Sequence, residues 1–360
     1  MAGKYRYYFP GGNTPEGFVS YYGDIMPQSE AARIFCIKGG PGTGKSTLMK
    51  QIGEHYIDEG MDIDFLKCSS DPESLDGIVI KDKSIAIIDG TAPHITDPIN
   101  PGAVDEIIDL GKHLNDRKLI KNRDKIISLS NEITETFKYA YVYLKCADKI
   151  YIHLNDIYSK YSIEDKVYEM IMSIKIPNKR GRTGKRKRRF GSAITSAGIK
   201  NELGSLSEGI SNIYLIEVPV GYRMKSISYH LSQRITGQGY DVEELLCPMN
   251  PYETAEHIIS HDGNLAVFTC NKYHEKGLFD NSSVKALSKV EIAIINDNDA
   301  IRIKELEHLG KANIDKAIEI LRNAKTMHDE LEEYYIDAMD FKAMEEIKRE
   351  VINKINKPVV

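Results

Sequence analysis

The sequence lacks the cysteine pattern of a disulfide-bonded or zinc-binding protein. Its five cysteines lie far apart, with no CxxC pair and no cluster of Cys and His at zinc-site spacing. They are Cys36, Cys68, Cys146, Cys247 and Cys270. Long apolar segments are missing too: nowhere do about 18 residues run apolar without charge, and no apolar core of a signal peptide follows Met1. These absences predict a cytoplasmic protein with reduced cysteines and no membrane partner.

A large excess of charge of one sign is also absent. The 360 residues include 48 Lys and Arg against 53 Asp and Glu, a net charge of −5. This balance excludes nucleic-acid binding over the whole surface, although a local basic patch is compatible with it. With 41% hydrophobic and 28% charged residues, the composition is typical of folded globular proteins. At roughly 100 to 200 residues per domain, the length predicts two or three domains.

What the sequence does contain is a phosphate-binding pattern near its start. The apolar run Ile34 to Lys38 precedes a match to GxxxxGK[ST], and a helical pattern follows it, which is the context this motif requires. The predicted cofactor-binding residues are Gly39, Gly40, Pro41, Gly42, Thr43, Gly44, Lys45, Ser46 and Thr47. Glycines let backbone N–H groups approach phosphate oxygens at a helix N-terminus. Lys45 is predicted to contact the β- and γ-phosphates of ATP, and Ser46 to ligate Mg²⁺.

A second pattern supplies an acid to the same site. After a predicted loop from Ser69 to Asp76, an apolar strand from Ser84 to Ile88 ends at Asp89. Such a strand places its terminal carboxylate beside the phosphate-binding loop, where it holds Mg²⁺ directly or through water. Asp89 is therefore the second predicted metal ligand and, with Lys45, a predicted catalytic residue.

The residue that would activate water is not identified by pattern. Many ATPases have a glutamate directly after this aspartate, whereas here Gly90 follows. His94 and Asp97, in the proline-containing loop beyond it, are candidates for orienting water. The alternative is that both residues only shape the turn before Pro98.

The region from Arg33 to Pro98 resembles the P-loop NTPase superfamily, and the whole chain resembles a bacterial family of tandemly duplicated P-loop ATPases. The resemblance implies binding of a nucleoside triphosphate with Mg²⁺ through Lys45, Ser46 and Asp89. No [NT]KxD motif and no LSGGQ-like motif is present, so the resemblance to Ras-like GTPases and ABC ATPases is poor. ATP is the expected nucleotide because the guanine-reading motif is absent.

Comparison of the sequence with itself predicts an internal duplication. A shift of 179 residues aligns Gly42 with Gly221 and Cys68 with Cys247, together with several apolar positions. The predicted fold is α/β, with two tandem P-loop NTPase-like three-layer domains that have parallel sheets, each followed by a helical hairpin. The first domain spans 1–176, with its helical segment at about 103–173. The second spans 190–360, with its helical segment at about 284–357.

The second copy has lost the residues that the chemistry requires. The alignment places Met224 and Lys225 on Lys45 and Ser46, and Phe268 on Asp89. Bulky residues in the loop would prevent the close approach of backbone to phosphate. The second nucleotide site is therefore predicted to be degenerate, with a structural or regulatory role.

Residues 177–189 are predicted to form a basic linker between the two domains. Eight of the eleven residues from Lys179 to Arg189 are basic and none is acidic. The segment suits a solvated linker, and the alternatives are a binding site for a polyanion such as nucleic acid and a source of an arginine for phosphoryl transfer.

Three functions remain compatible with the sequence. The first is a Mg²⁺-dependent ATPase with one active and one degenerate site. The second is a small-molecule or nucleotide kinase, although few arginines follow Asp89 to form a lid. The third is a nucleotide-gated binding module without enzymatic activity.

Overall fold

The computed structural model describes residues 2–91, 97–179, 181–293 and 296–357. The strands of the first half are β1 (Tyr5–Tyr8), β2 (Gly11–Thr14), β3 (Gly17–Ser20), β4 (Arg33–Lys38), β5 (Ile63–Lys67), β6 (Leu75–Ile80), β7 (Ile85–Asp89), β8 (Asp105–Asp109) and β9 (Ser162–Ile163). Those of the second half are β10 (Arg186–Arg189), β11 (Ser192–Thr195), β12 (Gly198–Asn201), β13 (Ile213–Glu217), β14 (Val242–Cys247), β15 (Asn250–Ser260), β16 (Leu265–Cys270), β17 (Val284–Lys289) and β18 (Glu291–Ile292). The helices are α1 (Lys45–Asp58), α2 (Asp116–Lys121), α3 (Arg123–Tyr161), α4 (Asp165–Ser173), α5 (Leu203–Ser207), α6 (Lys225–Gly237), α7 (Asp297–Ala338) and α8 (Met344–Asn356).

Two six-stranded sheets have the same strand order. The first runs β1-β5-β6-β7-β4-β8 and the second β10-β14-β15-β16-β13-β17. The predicted α/β class is confirmed, but the prediction of parallel sheets is wrong. In the first sheet β6 runs antiparallel to both of its neighbours, as β15 does in the second. The reason is the shortness of the connections on either side of these strands, because a parallel crossover needs a dozen or more residues.

In the described parts of the chain, the longer helices that pack on each sheet cover one face of it, and the other two faces pack against each other with the short helix α5 between them. In β4, Phe35 and Ile37 contact the helices, whereas Ile34 and Cys36 belong to the core between the sheets. The prediction of two three-layer domains is therefore corrected to four layers in the order helix, sheet, sheet, helix. Strands with two apolar faces need cover on both, and here the second sheet supplies it.

The helical segments exchange partners between the halves. Helix α4 follows the first half but packs on the second sheet, where Val167 and Ile171 join its core. Helix α8 ends the second half but packs on α1 of the first, through Ile347 and Val351. The predicted hairpin after each domain is thus wrong. The long helices α3 and α7 instead pair with each other in antiparallel orientation, as the contacts of Tyr161 with Asp299 and of Lys125 with Glu330 show.

The predicted boundaries of the helical segments also change. Both segments begin with an edge strand, β8 at 105–109 and β17 at 284–289. These strands mix charged and apolar residues, because an edge strand is only partly covered. The predicted domain boundaries at 176 and 190 stay predictions.

The segment predicted as a basic linker is partly a strand. Residues 186–189 form β10, which pairs in parallel with β14 at the edge of the second sheet. Among the described residues of this segment, every basic side chain lies within 4.0 Å of a carboxylate oxygen. The partner acids are Glu30, Asp64, Asp241, Glu243, Glu244 and Asp262. Because these acids are remote in sequence, local charge could not reveal the pairing, and binding of nucleic acid here stays an untested prediction.

A buried ion-pair network links the two halves. Arg6 donates to Asp64 at 2.6 Å and to Glu243 at 2.7 Å, and Arg189 lies over the Tyr8 ring, 4.1 Å from its centroid. Burial by itself raises the pKa of Asp64 and Glu243, but the nearby guanidinium groups lower both pKa values below their usual range. Both carboxylates are therefore charged in the folded protein at neutral pH.

The halves also meet through backbone hydrogen bonds. Phe9 and Phe190 form an antiparallel bridge in which each N–H donates to the other carbonyl at 3.0 Å. None of the helices in the described parts of the chain combines the length and apolarity needed to cross a bilayer.

The ion-pair network gives a first prediction. Asp64→Asn leaves an uncompensated buried positive charge, so the free energy of unfolding at pH 7 should fall by about 3–5 kcal/mol. Glu330→Gln, which breaks the exposed pair with Lys125, is the control and should cost less than about 1 kcal/mol. Because the pKa of Asp64 is lowered by folding, its contribution should be lost as the pH falls below about 4. Urea unfolding at pH 7 and pH 3 measures both effects, and equal losses for the two variants at pH 7 would contradict the network.

Candidate functional site

The loop from Gly39 to Gly44 connects the carboxyl end of β4 to the start of α1. Gly42 and Gly44 have positive φ angles of 67° and 86°, a conformation that favours glycine. Gly44 is the residue immediately before α1, and Lys45 is the first residue of the helix. The predicted strand, loop and helix are therefore confirmed as local structure, and the loop directs the N-terminus of α1 toward the edge of the sheet.

Lys45 and Asp89 lie together, as the sequence predicts. Strands β4 and β7 are parallel neighbours in which Ile37 faces Asp89, so both strands end at the same edge. The Lys45 ammonium donates to the carbonyl oxygens of Gly40 at 2.7 Å and Gly39 at 3.2 Å, and lies 3.6 Å from Asp89 Oδ2. The largely buried Lys45 ammonium therefore lies at the centre of the loop.

The two predicted metal ligands offer oxygen atoms that suit Mg²⁺. Ser46 Oγ accepts the Leu75 N–H at 2.9 Å, which leaves a second lone pair for a cation. Asp89 Oδ1 accepts the Thr91 N–H at 2.9 Å and also the Thr91 hydroxyl. Hard oxygen donors of this kind fit Mg²⁺, which binds through one or two protein ligands together with water and phosphate.

The remaining predicted loop residues have distinct surroundings. Thr43 is buried, and its hydroxyl donates to the Gly40 carbonyl at 2.8 Å. Pro41 is half-buried, and Thr47 is exposed on the first turn of α1.

Of the two candidates for orienting water, the structure describes Asp97 but not His94. His94 lies outside the described residues. Asp97 accepts from Lys38 Nζ at 2.9 Å, and its side chain is 76% exposed. Lys38 also donates to the Gly90 carbonyl at 2.7 Å. Asp97 is thus an exposed partner of Lys38 at the end of β4.

Sequence reasoning missed one buried acid at this edge. Residues 75 and 76 were expected to lie in a loop, but residues 75–80 form β6, which pairs with β7 in the sheet. Gly77 faces Ile88 there, so Asp76 and Asp89 are the next residues along the two strands. Asp76 is 4% exposed and, after burial itself, is the main cause of the raised pKa of the Cys68 thiol. The apolar run from Ile78 to Ile80 was the signal that could have revealed this strand.

A second missed feature is that α7 packs on the loop. A side chain added at Gly40 would lie 2.3 Å from the Tyr335 ring, and one at Gly42 would lie 2.9 Å from Ile336. These glycines are therefore required by the contact with α7 as well as by the backbone. No sequence pattern could have revealed this contact, because the two segments are remote in the chain.

The corresponding loop of the second half has the same backbone position and different chemistry. It connects β13 to α6, and Gly221 has a φ of 90°. Ile216 pairs with Thr269 in the second sheet, as Ile37 pairs with Asp89 in the first. The structure therefore places Thr269, and not Phe268, at the position that corresponds to Asp89. The predicted alignment of Phe268 with Asp89 is therefore wrong by one residue, because a constant shift of the sequence does not allow for an insertion between β13 and β16.

Helix α3 packs on this second loop as α7 packs on the first. A side chain added at Gly221 would lie 3.1 Å from both Tyr151 and Leu154. Arg223, on the same loop, pairs with Asp148 of α3 at 2.9 Å. Each loop is therefore covered by the long helix that follows the other half of the chain.

Comparisons of this chain with protein-family models, with curated proteins and with solved structures found no match.

The contact between α7 and the first loop gives a second prediction. Gly40→Ala forces the Tyr335 ring to move, so the free energy of unfolding should fall by about 1–3 kcal/mol. In a Tyr335→Ala background the same change should cost much less, because the obstructing ring is gone. Gly23→Ala is the control, since nothing lies within 4 Å of the added methyl group. Denaturant unfolding of the four variants measures the coupling, and strictly additive losses would contradict the contact.

Proposed function

We propose that this protein binds ATP with Mg²⁺ at the first loop and hydrolyses it. The observation that carries this proposal is the convergence of Lys45, Ser46 and Asp89 at one edge of the sheet, with the Lys45 ammonium 3.6 Å from Asp89. Positive φ angles at Gly42 and Gly44 support it, because they let backbone N–H groups face a phosphate. The resemblance to P-loop NTPases supports the same reading.

Each of these residues has a definite role in the proposal. The Lys45 ammonium exchanges the Gly39 and Gly40 carbonyls for phosphate oxygens and offsets their charge. Ser46 and Asp89 hold the metal ion directly or through water. Asp76, which is buried beside Asp89, is the described acid best placed to accept a proton from water, since no glutamate follows Asp89.

We further propose that the chain arose by duplication, with a second site that does not hydrolyse nucleotide. The common strand order supports this, as does the reciprocal bridge between Phe9 and Phe190. Cys68 and Cys247 occupy corresponding positions, and burial followed by a nearby carboxylate raises the pKa of each thiol. The second loop carries Met224 and an Arg223 already paired with Asp148. Lys225, which begins α6 as Lys45 begins α1, is exposed and pairs with Glu253 at 3.3 Å, and no aspartate corresponds to Asp89.

A nucleotide-gated binding module is the second candidate. The observation that favours it is the close packing of Tyr335 and Ile336 on Gly40 and Gly42. A nucleotide that displaces this contact would move α7, which spans both halves, without any need for hydrolysis. Binding without turnover would distinguish this candidate from the ATPase.

Removal of the loop lysine tests the proposal. Lys45→Ala should weaken ATP binding about ten- to hundredfold, because a charge-assisted contact to phosphate is lost, and should abolish phosphate release. Lys225→Ala is the matched control at the start of α6, where the side chain is exposed and pairs with Glu253 at 3.3 Å. Calorimetric titration with ATP and a phosphate-release assay measure the two effects. Binding that is equal in both variants would overturn the site, and transfer of the γ-phosphoryl group to a metabolite would identify a kinase instead.

The metal-binding role of Asp89 has its own test. Asp89→Asn keeps the size of the side chain but removes its charge, so ATP binding should need about tenfold more Mg²⁺. Asp97→Asn changes an exposed acid near the same edge and should leave the Mg²⁺ requirement unaltered. Titration of Mg²⁺ at fixed ATP measures this requirement, and an unchanged value for Asp89→Asn would contradict a role in holding the metal.

A further inference from the structure

We propose that the second half binds a small, flat nitrogen heterocycle in a cavity beside its degenerate loop. The cavity has a volume of about 110 Å³ and lies where the first half has its phosphate-binding site. Loop residues Val220 and Met224 form one side, and Thr269, which corresponds to Asp89, lies at the end of β16 on another. The loss of the phosphate-binding residues has therefore left a pocket of different chemistry.

The size and walls of the cavity suit an aromatic ring. A volume near 110 Å³ holds several water-sized groups, which is the scale of a one- or two-ring molecule. The lining is mostly apolar and includes the rings of Tyr151, Tyr222 and Tyr273 and the side chain of Met249. Aromatic and sulfur-containing side chains favour flat, polarisable ligands.

A few polar groups in this apolar wall define what the ligand must offer. The Tyr151 hydroxyl is near Tyr273 but makes no hydrogen bond of ordinary geometry among the described residues, and neither does His274 Nδ1. The Glu256 carboxylate lies 3.5 Å from His274 Nδ1, and its side chain is 18% exposed. The Tyr151 hydroxyl and His274 Nδ1 are enclosed by protein, so Glu256 is the acid that meets a ligand. A flat ring with an N–H group for this carboxylate satisfies it, whereas a hydrocarbon does not.

Two other ligand classes fit less well. Polyphosphate is disfavoured because Arg223 is held by Asp148 at 2.9 Å. A metal is suggested by Glu256, His257 and His274, whose potential ligand atoms lie within 4.8 Å of one another. However, the Thr269 N–H donates to His257 Nδ1 at 3.1 Å, so the neutral ring carries its proton on Nε2 and has no lone pair to offer there. His257 instead packs edge-on against His274, whose Nε2 lies 3.0 Å from Ser192 Oγ.

The position of the cavity links it to the first loop. Tyr151 of α3 and Ile314 of α7 both line it, and α7 continues to Tyr335, roughly 30 Å further along the helix, which packs on Gly40. A ligand that orders this end of α7 would change the contact on the first loop. This coupling rests on the proposed function, whereas binding to the cavity does not.

Binding is tested with adenine, 2-aminopyridine and 4-aminopyrimidine as probes and toluene as the hydrocarbon comparison. Saturation-transfer NMR and calorimetry on the full chain should give a dissociation constant below 1 mM for at least one heterocycle, with weaker binding of toluene. Glu256→Gln should weaken heterocycle binding about two- to tenfold, because a charge-assisted hydrogen bond is replaced by a weaker neutral one. Glu253→Gln, at an exposed position of the same strand, is the matched control.

The variants keep the test independent of folding and of the first site. Glu256→Gln keeps the size of the side chain and lies in the second half, so the variant should keep a cooperative thermal transition and should bind ATP at the first loop as the original protein does. Failure of all three heterocycles, tighter binding of toluene, or equal affinities for the two Glu→Gln variants would each overturn the proposal. The coupling is tested by the ATP dissociation constant with and without saturating probe, since linkage requires a change in one affinity to appear in the other. An unchanged ATP dissociation constant would overturn only the coupling between the cavity and the first loop. Absence of ATP binding would overturn the proposed function, but it would not affect the NMR evidence for binding to the cavity.

Discussion

The packing of one sheet on the other is the contact on which the rest of the structure depends. Both sheets have two apolar faces, and the longer helices that pack on them cover one face of each. The remaining faces, with Cys36 and Ile88 on one side and Leu215 and Phe268 on the other, bury each other in a single core. Because burial of apolar surface is the main favourable term in folding, neither half has a complete core without its neighbour.

This shared core explains why the helical segments exchange partners. Once the sheets are back to back, their outer faces point in opposite directions, and the long helices α3 and α7 run between the two sides. Helix α4 therefore reaches the second sheet and α8 returns to the first. The consequence for function is that each loop is touched by a helix that follows the other half, so a change at one loop can alter packing at the other.

Much of the first site could be predicted because its determinants are local or lie on adjacent strands. The glycines, Lys45 and Ser46 are contiguous, and Asp89 ends a strand whose apolar run is visible in the sequence. Asp76 was missed because its strand begins in a polar stretch, and Tyr335 because it comes from a distant helix. Eight basic residues within eleven suggested a solvated linker, whereas the acids that pair with the described ones are scattered through both halves.

The sequence by itself determined the α/β class, the loop from Gly39 to Thr47 and the different residues at the corresponding positions of the second half, since these follow from contiguous residues and their backbone preferences. Only the tertiary structure decided the antiparallel strands β6 and β15, the back-to-back sheets, the exchanged helices and the cavity near Tyr151 and Glu256. The physical reason is that an apolar side chain specifies that it must be buried but not which surface covers it. A charged side chain likewise does not specify which distant partner neutralises it.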